Sequence, residues 1–115
     1  MKKFILSFKY AIEGIITGIK EERNIKIHLL AVVVVIAMGI IYKISKIEWI
    51  ICIALFGLVI SSELINTAVE NTVDLITDEK KELAKKAKDT AAGAVLVNAI
   101  ISAIIAGFIW IPKIF

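Results

Sequence analysis

The sequence predicts an all-α integral membrane protein, in which three transmembrane helices follow an N-terminal amphipathic helix that lies at the membrane interface. Hydrophobic residues make up 59% of the chain, whereas about 45–50% is usual for a soluble domain, and the mean hydropathy is +0.88. The charged residues cluster at positions 2–26, 43–48 and 70–89, with long uncharged runs between them. A chain of 115 residues has room for one domain, and we assign residues 1–115 to it.

The first element, at about residues 1–21, is the amphipathic helix. Its apolar side chains recur every three to four residues from Phe4 to Ile19, and the lysines fall mostly on the other side. A helix with one apolar face and one basic face lies in the plane of the interface rather than across the bilayer.

Three apolar runs predict the spanning helices, at about residues 27–42, 49–72 and 90–111. The first run is short compared with the roughly 20 residues that a bilayer requires. Trp49 and Trp110 stand at the ends of runs, where aromatic side chains anchor in the headgroup region.

The lysine and arginine residues predict the orientation. Six of them precede residue 29, two lie in the loop 43–48, five lie in the loop 71–89 and one lies in the C-terminal tail. The positive-inside rule therefore predicts a multi-pass plasma-membrane protein with a cytoplasmic N-terminus, a cytoplasmic loop 71–89 and an external C-terminus. We attribute the net charge of +3 to this topology, and we expect no nucleic-acid partner.

A polar stripe lies toward the end of the second apolar run, where residues 62–70 have the sequence SELINTAVE. Glu63, Asn66 and Glu70 are spaced at i, i+3 and i+7, so they share one face of a helix, and Asp74 extends that face. A carboxylate inside a membrane segment costs several kcal/mol, so it marks a functional site by default. Such a stripe is suited to binding cations, protons or phosphate-bound metal.

The residue types of this stripe suit phosphoryl transfer. Magnesium is usually held by one or two carboxylates together with phosphate oxygens, and Glu22 and Glu70 can supply such a pair. Lys88 can balance phosphate charge. Glu63 lies about 10 Å deeper than Glu70 along the helix, at a depth that suits a base for a lipid hydroxyl, and Asn66 lies between them.

Other features are less specific. The chain has no glycine-rich phosphate loop, so a nucleotide site would have to be built from side chains on helices. The charged loop 77–88 is also typical of a solvated helix end. His28 is the only histidine and is more typical of an interface residue than of a metal ligand. Tyr10 either stacks on a base or anchors in the headgroups.

Three segments together resemble the signature of the small prokaryotic diacylglycerol kinase family. They are residues 63–70 (ELINTAVE) followed by Asp74, residues 87–96 (AKDTAAGAVL) and residues 22–28 (ERNIKIH). The form of the last segment looks like that of the Gram-positive branch, whose members phosphorylate undecaprenol. The resemblance covers essentially the whole chain.

This resemblance implies a homotrimer of three-span subunits with active sites at the subunit interfaces, Mg²⁺ as cofactor and ATP as co-substrate. It implies that Glu63 is the catalytic base, that Asn66 is the asparagine of the catalytic motif, and that Glu22 and Glu70 bind the metal. The residues that it implies in nucleotide binding are Tyr10, Glu22, Glu70, Glu79, Lys81, Lys88 and Asp89.

The expected function is therefore a membrane lipid kinase that transfers the ATP γ-phosphate to a lipid alcohol, with undecaprenol preferred on the branch resemblance. A diacylglycerol kinase that makes phosphatidic acid is the alternative within the family. A small proton-coupled transporter is an alternative of another class, although it would have four spans rather than three. A structural membrane subunit would not need Glu63, Asn66 and Glu70 on one helix face.

Overall fold

The computed structural model describes the backbone of residues 1–115 and every side chain except that of Arg23. Four helices follow one another, α1 (Lys2–Glu21), α2 (Arg23–Ile41), α3 (Lys46–Ile76) and α4 (Glu82–Ile114). Three of them, α2, α3 and α4, are long and apolar enough to cross a membrane, and α1 is the most amphipathic of the four. The expected all-α fold with three spanning helices is thus confirmed.

The two last helices extend beyond the apolar runs that predicted them. Helix α3 has 31 residues and α4 has 33, which correspond to about 46 Å and 50 Å at 1.5 Å per residue. Helix α4 begins at Glu82, so the charged segment 82–89 forms its first two turns. Lysine, glutamate and alanine are good helix formers, so this segment is helical although it is not apolar. Hydropathy alone therefore did not locate the start of α4.

The assignment of residues 1–115 to a single domain stays a prediction.

Helices α3 and α4 are antiparallel, and polar contacts join them at both ends. Lys113 Nζ lies 3.3 Å from Glu48 Oε2, at the end of α4 and the start of α3. At the other end, Lys88 Nζ lies 2.5 Å from Asp74 Oδ1. Between these two pairs, Asn98 donates a hydrogen bond of 3.2 Å to the main-chain oxygen of Leu58. These contacts fix the register of the two helices.

A tight turn connects α2 to α3. Lys43 adopts a left-handed conformation with φ of 51°, and Ser45 and Glu48 then form a capping box, with the Glu48 carboxylate accepting from Ser45 N at 2.9 Å. Such a box satisfies two main-chain donors at a helix start. A Cβ atom at Gly39 would lie 2.5 Å from the Trp49 ring, so only glycine allows this close approach of α2 to α3.

The apolar core is concentrated at the end of the bundle that holds this turn, where Ile44, Cys52, Ile109 and Trp110 pack together. An apolar cavity of about 250 Å³ lies between α2, α3 and α4 and extends from His28 to Trp110. Cys52 is buried and has a free thiol.

At the other end, α1 meets α2 and α3. Glu22 is the only non-helical residue between α1 and α2, and its φ and ψ of −96° and 115° break the helix. Gly18 of α1 is buried, and a Cβ atom there would clash with the Leu64 side chain. Because α1 approaches α3 so closely, Glu22 is held beside the polar stretch of α3.

Candidate functional site

The second half of α3 buries polar side chains over little more than one turn. Glu63 is 1% exposed, Asn66 5% and Thr67 7%. Burying a carboxylate is unfavourable unless other groups compensate for its lost hydration. The unfavourable free energy of burying polar side chains is therefore concentrated at the position where the sequence predicts the reacting groups.

Glu63 faces His28 of α2. The Nε2 atom of His28 lies 2.9 Å from Glu63 Oε1. This contact is close but poorly aligned, because neither Glu63 oxygen has a hydrogen-bond partner with good geometry among the described residues. The sequence interpretation of His28 as an interface residue did not include this contact.

Asn66 and Glu70 interact one turn further along α3. Asn66 Nδ2 donates a hydrogen bond of 3.1 Å to Glu70 Oε1. The Oδ1 atom of Asn66 is buried and has no partner among the described residues. The amide thus orients one carboxylate and keeps a buried oxygen available as a ligand or acceptor.

The junction between α1 and α2 brings further carboxylates to the same region. Thr67 Oγ1 lies 3.1 Å from Glu22 Oε2 and also 3.1 Å from the main-chain oxygen of Glu63. Beside it, Asn71 Nδ2 donates a hydrogen bond of 3.2 Å to Glu21 Oε2. Helix packing therefore places Glu22, which precedes Glu70 by many residues in sequence, against the face of α3 that carries the predicted site.

Ion pairs dominate the region where α3 ends and α4 begins. Asp74 is bound by Lys88, as described above, and Lys85 Nζ lies 2.6 Å from Asp89 Oδ2 within α4. Asp74 follows Glu70 by one helical turn, so the face of α3 that carries Glu70 leads directly to Lys88.

An open cleft of about 700 Å³ lies beside these ion pairs, between the end of α3 and the start of α4. Its volume is within the range of about 300–1,000 Å³ that is usual for ligand pockets. Among its lining residues are four that were predicted to contact a nucleotide, Glu79, Lys81, Lys88 and Asp89. Lys81 and Glu79 are exposed, with 3.9 Å between their charged atoms.

The structure does not place Tyr10 at the cleft: Tyr10 is not among the residues that line it, and its side chain on α1 is 61% exposed. Among the residues that the structure describes, no group of three or more His, Cys, Asp or Glu side chains could hold a metal ion. Sequence reasoning missed two neighbours of the site, His28 and Thr67. Only the placement of Thr67 inside the polar motif, four residues after Glu63, could have indicated its involvement.

Comparisons with known proteins identify the family of this chain. The sequence profile of the family described as prokaryotic diacylglycerol kinase matches residues 9–110. The undecaprenol kinase of Bacillus subtilis is 47% identical over 99% of this chain and 93% of its own length. The diacylglycerol kinase of Synechocystis is 38% identical over 96% of this chain and 63% of its length, and that of Haemophilus influenzae is 33% identical over 92% and 86%.

These matches confirm the family that the three sequence segments resemble. Together with the three helices that are long and apolar enough to cross a bilayer, they identify a membrane protein that takes a lipid substrate and ATP. The chain belongs to the prokaryotic diacylglycerol kinase family, and it is a lipid kinase, a phosphotransferase that acts on a lipid alcohol.

Proposed function

We propose that this lipid kinase phosphorylates undecaprenol and produces undecaprenyl phosphate. The observation that carries the proposal is the level of identity, which is 47% to an undecaprenol kinase over nearly the whole chain and 38% and 33% to two diacylglycerol kinases. The form of residues 22–28, ERNIKIH, supports the same branch of the family.

In the proposed reaction, Glu63 is the general base. The lipid hydroxyl oxygen forms a bond to the γ-phosphorus of ATP, the bond between that phosphorus and the β–γ bridging oxygen breaks, and ADP leaves. The hydroxyl proton passes to the Glu63 carboxylate. The burial of Glu63, about 10 Å deeper along α3 than Glu70, supports this role because a lipid alcohol presents its hydroxyl from the membrane side.

Glu22 and Glu70 are the residues that we propose would hold magnesium, which would supply positive charge to offset the negative charge that develops during phosphoryl transfer. The residues present fit a hard cation, since carboxylate and amide oxygens are its preferred ligands. The hydrogen bonds to Glu22 Oε2 and Glu70 Oε1 leave the second oxygen of each carboxylate available. The Oδ1 atom of Asn66, which has no partner among the described residues, adds an oxygen beside Glu70, whose carboxylate accepts from the same amide.

The cleft between α3 and α4 is the proposed nucleotide site. Lys88 would contact phosphate, and Asp89, Glu79 and Lys81 would contact other parts of the nucleotide. Each of these lysines has a carboxylate partner in the structure, Asp74 for Lys88 and Glu79 for Lys81. Nucleotide binding would therefore replace the contact of Lys88 with Asp74 by a phosphate contact, and it would compete with Glu79 for Lys81.

We further propose that the enzyme is a homotrimer in the plasma membrane, with active sites at the subunit interfaces and an N-terminus in the cytoplasm. The family resemblance supports the assembly. The exposed position of Tyr10 fits a site that a neighbouring subunit completes. The distribution of lysine and arginine residues supports the orientation, and this orientation would put the cleft on the side that contains ATP.

The experiment that tests the proposed function compares two lipid alcohols. The full chain is reconstituted into liposomes that contain either undecaprenol or diacylglycerol, and transfer of labelled γ-phosphate from ATP is measured. We expect a higher kcat/KM for undecaprenol, and no transfer by Glu63→Gln above a small residual rate. A higher kcat/KM for diacylglycerol would replace the proposed substrate with the alternative.

A further inference from the structure

The contact between His28 and Glu63 joins two helices at the most deeply buried charged side chain. Glu63 is 1% exposed and His28 is 22% exposed, and their closest atoms are 2.9 Å apart. In the part of the chain that the structure describes, His28 is the only basic side chain in contact with Glu63.

A general base acts efficiently only when its carboxylate is held at the position where the proton is released. A glutamate side chain has three rotatable bonds, and both Glu63 oxygens lack a well-aligned hydrogen bond among the described residues. The imidazole of His28 approaches from α2, so it limits the orientation of Glu63 independently of the helix to which Glu63 belongs.

His28 also lines the apolar cavity between α2, α3 and α4. Its ring therefore lies between a buried carboxylate and an apolar space within the membrane segment. Imidazole suits this position because a ring nitrogen can donate to a carboxylate while the carbon atoms of the ring contact apolar neighbours.

We propose that His28 is the positioning residue of Glu63, and that its Nε2 atom holds the carboxylate in the orientation that receives the proton of the lipid hydroxyl. This inference rests on the proposed function for the role of Glu63 as base. It assigns His28 no contact with ATP or with metal.

The kinetic test compares three variants in liposomes that contain undecaprenol. His28→Ala removes the contact, and we expect kcat to fall about 10- to 100-fold, the effect of removing one hydrogen-bond donor to a charged group during the reaction, with the KM for Mg-ATP unchanged. His28→Gln keeps an N–H donor near the Nε2 position and should retain kcat within about threefold. Asn98→Ala removes another polar contact between helices and should leave kcat unchanged.

A double variant separates positioning from packing. If His28 acts through Glu63, His28→Ala should lower kcat little further in a Glu63→Gln background. Wild-type kcat in His28→Ala, or a full additional loss in the double variant, would overturn the proposal. Absence of transfer by the wild-type chain to any lipid alcohol would instead contradict the proposed function, so the two failures are distinguishable.

A spectroscopic measurement tests the contact without using activity. The chain has one histidine, so ¹⁵N-histidine labelling gives the signals of a single imidazole. We expect Glu63→Gln to shift the Nε2 resonance at constant pH, whereas Glu48→Gln, at the other end of α3, should not. An Nε2 resonance that is unchanged by Glu63→Gln would overturn the proposal even if His28→Ala did not fold.

Discussion

The hydroxyl of Thr67 links Glu22 to α3 across 45 residues of sequence, with 3.1 Å between Thr67 Oγ1 and Glu22 Oε2. The same hydroxyl lies 3.1 Å from the main-chain oxygen of Glu63, and its single proton serves one acceptor at a time. Thr67 thereby connects the region of the proposed base with the carboxylate that is the first proposed metal ligand.

Replacing this hydroxyl should weaken the binding of Mg-ATP. Thr67→Val keeps the shape of the side chain and removes the donor, which contributes about 1 kcal/mol in a typical hydrogen bond. We expect the KM for Mg-ATP to rise about fivefold with a smaller effect on kcat, measured by phosphate transfer in liposomes. Thr67→Ser retains the hydroxyl and is the control. An unchanged KM in Thr67→Val would show that Glu22 does not need this contact.

Glu63→Gln should lower kcat by roughly 10²–10⁴-fold, the usual contribution of general-base assistance, while ATP binding changes little. The amide has almost the same shape as the carboxylate but cannot accept the proton. Turnover and nucleotide affinity are measured on the same preparation. Near-wild-type turnover in a folded protein would mean that the base lies elsewhere, and Asp89 would be the next candidate.

Glu70→Gln should abolish activity and weaken Mg-ATP binding, because it removes a charged oxygen ligand while Asn66 remains. Raising the magnesium concentration should restore little of the activity. Normal turnover with normal metal dependence would eliminate Glu70 as a ligand.

Mixing inactive subunits tests whether the site is shared between chains. If Glu22 and Glu70 act across a subunit interface, Glu22→Gln and Glu70→Gln subunits that are assembled together should recover part of the activity. Failure to recover activity in mixed oligomers would show that Glu22 and Glu70 must come from the same chain.

The ion pair between Lys88 and Asp74 should matter for catalysis rather than for stability. Both side chains are partly exposed, at 40% and 58%, and exposed pairs contribute about 0–1 kcal/mol. We expect Lys88→Met to lose activity with a nearly unchanged Tm, because Lys88 is the proposed phosphate contact. Lys86→Met is the matched control, since Lys86 pairs with Glu82 and is not among the residues that line the cleft. Equal activity in both variants would contradict the role of Lys88.

A reporter fused after Phe115 should be external. The expected orientation follows from the lysine and arginine residues before residue 29 and in the loop 71–89. In the structure, the loop 71–89 lies at one end of the bundle, and the pair of Lys113 and Glu48, near the C-terminus, lies at the opposite end. The measurement compares reporters that are active only inside or only outside the cell. A cytoplasmic signal would contradict the arrangement with three spans.

The sequence alone determined the class of the fold and the polar face of α3. Hydropathy identifies the spanning segments because each apolar segment must be long enough to cross the bilayer by itself. The spacing of Glu63, Asn66 and Glu70 predicts a shared face because the periodicity of a helix depends only on positions close in sequence. The start of α4 was not predictable in this way, since the charged residues 82–89 are helical without being apolar.

Only the tertiary structure decided which residues meet across helices. The contacts of His28 with Glu63 and of Thr67 with Glu22 depend on how α1 and α2 are rotated and placed against α3, and no local pattern specifies that rotation. Close approaches such as that of Gly18 to Leu64 set it, because helices pack through the shapes of many side chains at once. The sequence therefore determined the groups that can carry out the chemistry, and helix packing decided which partners hold them.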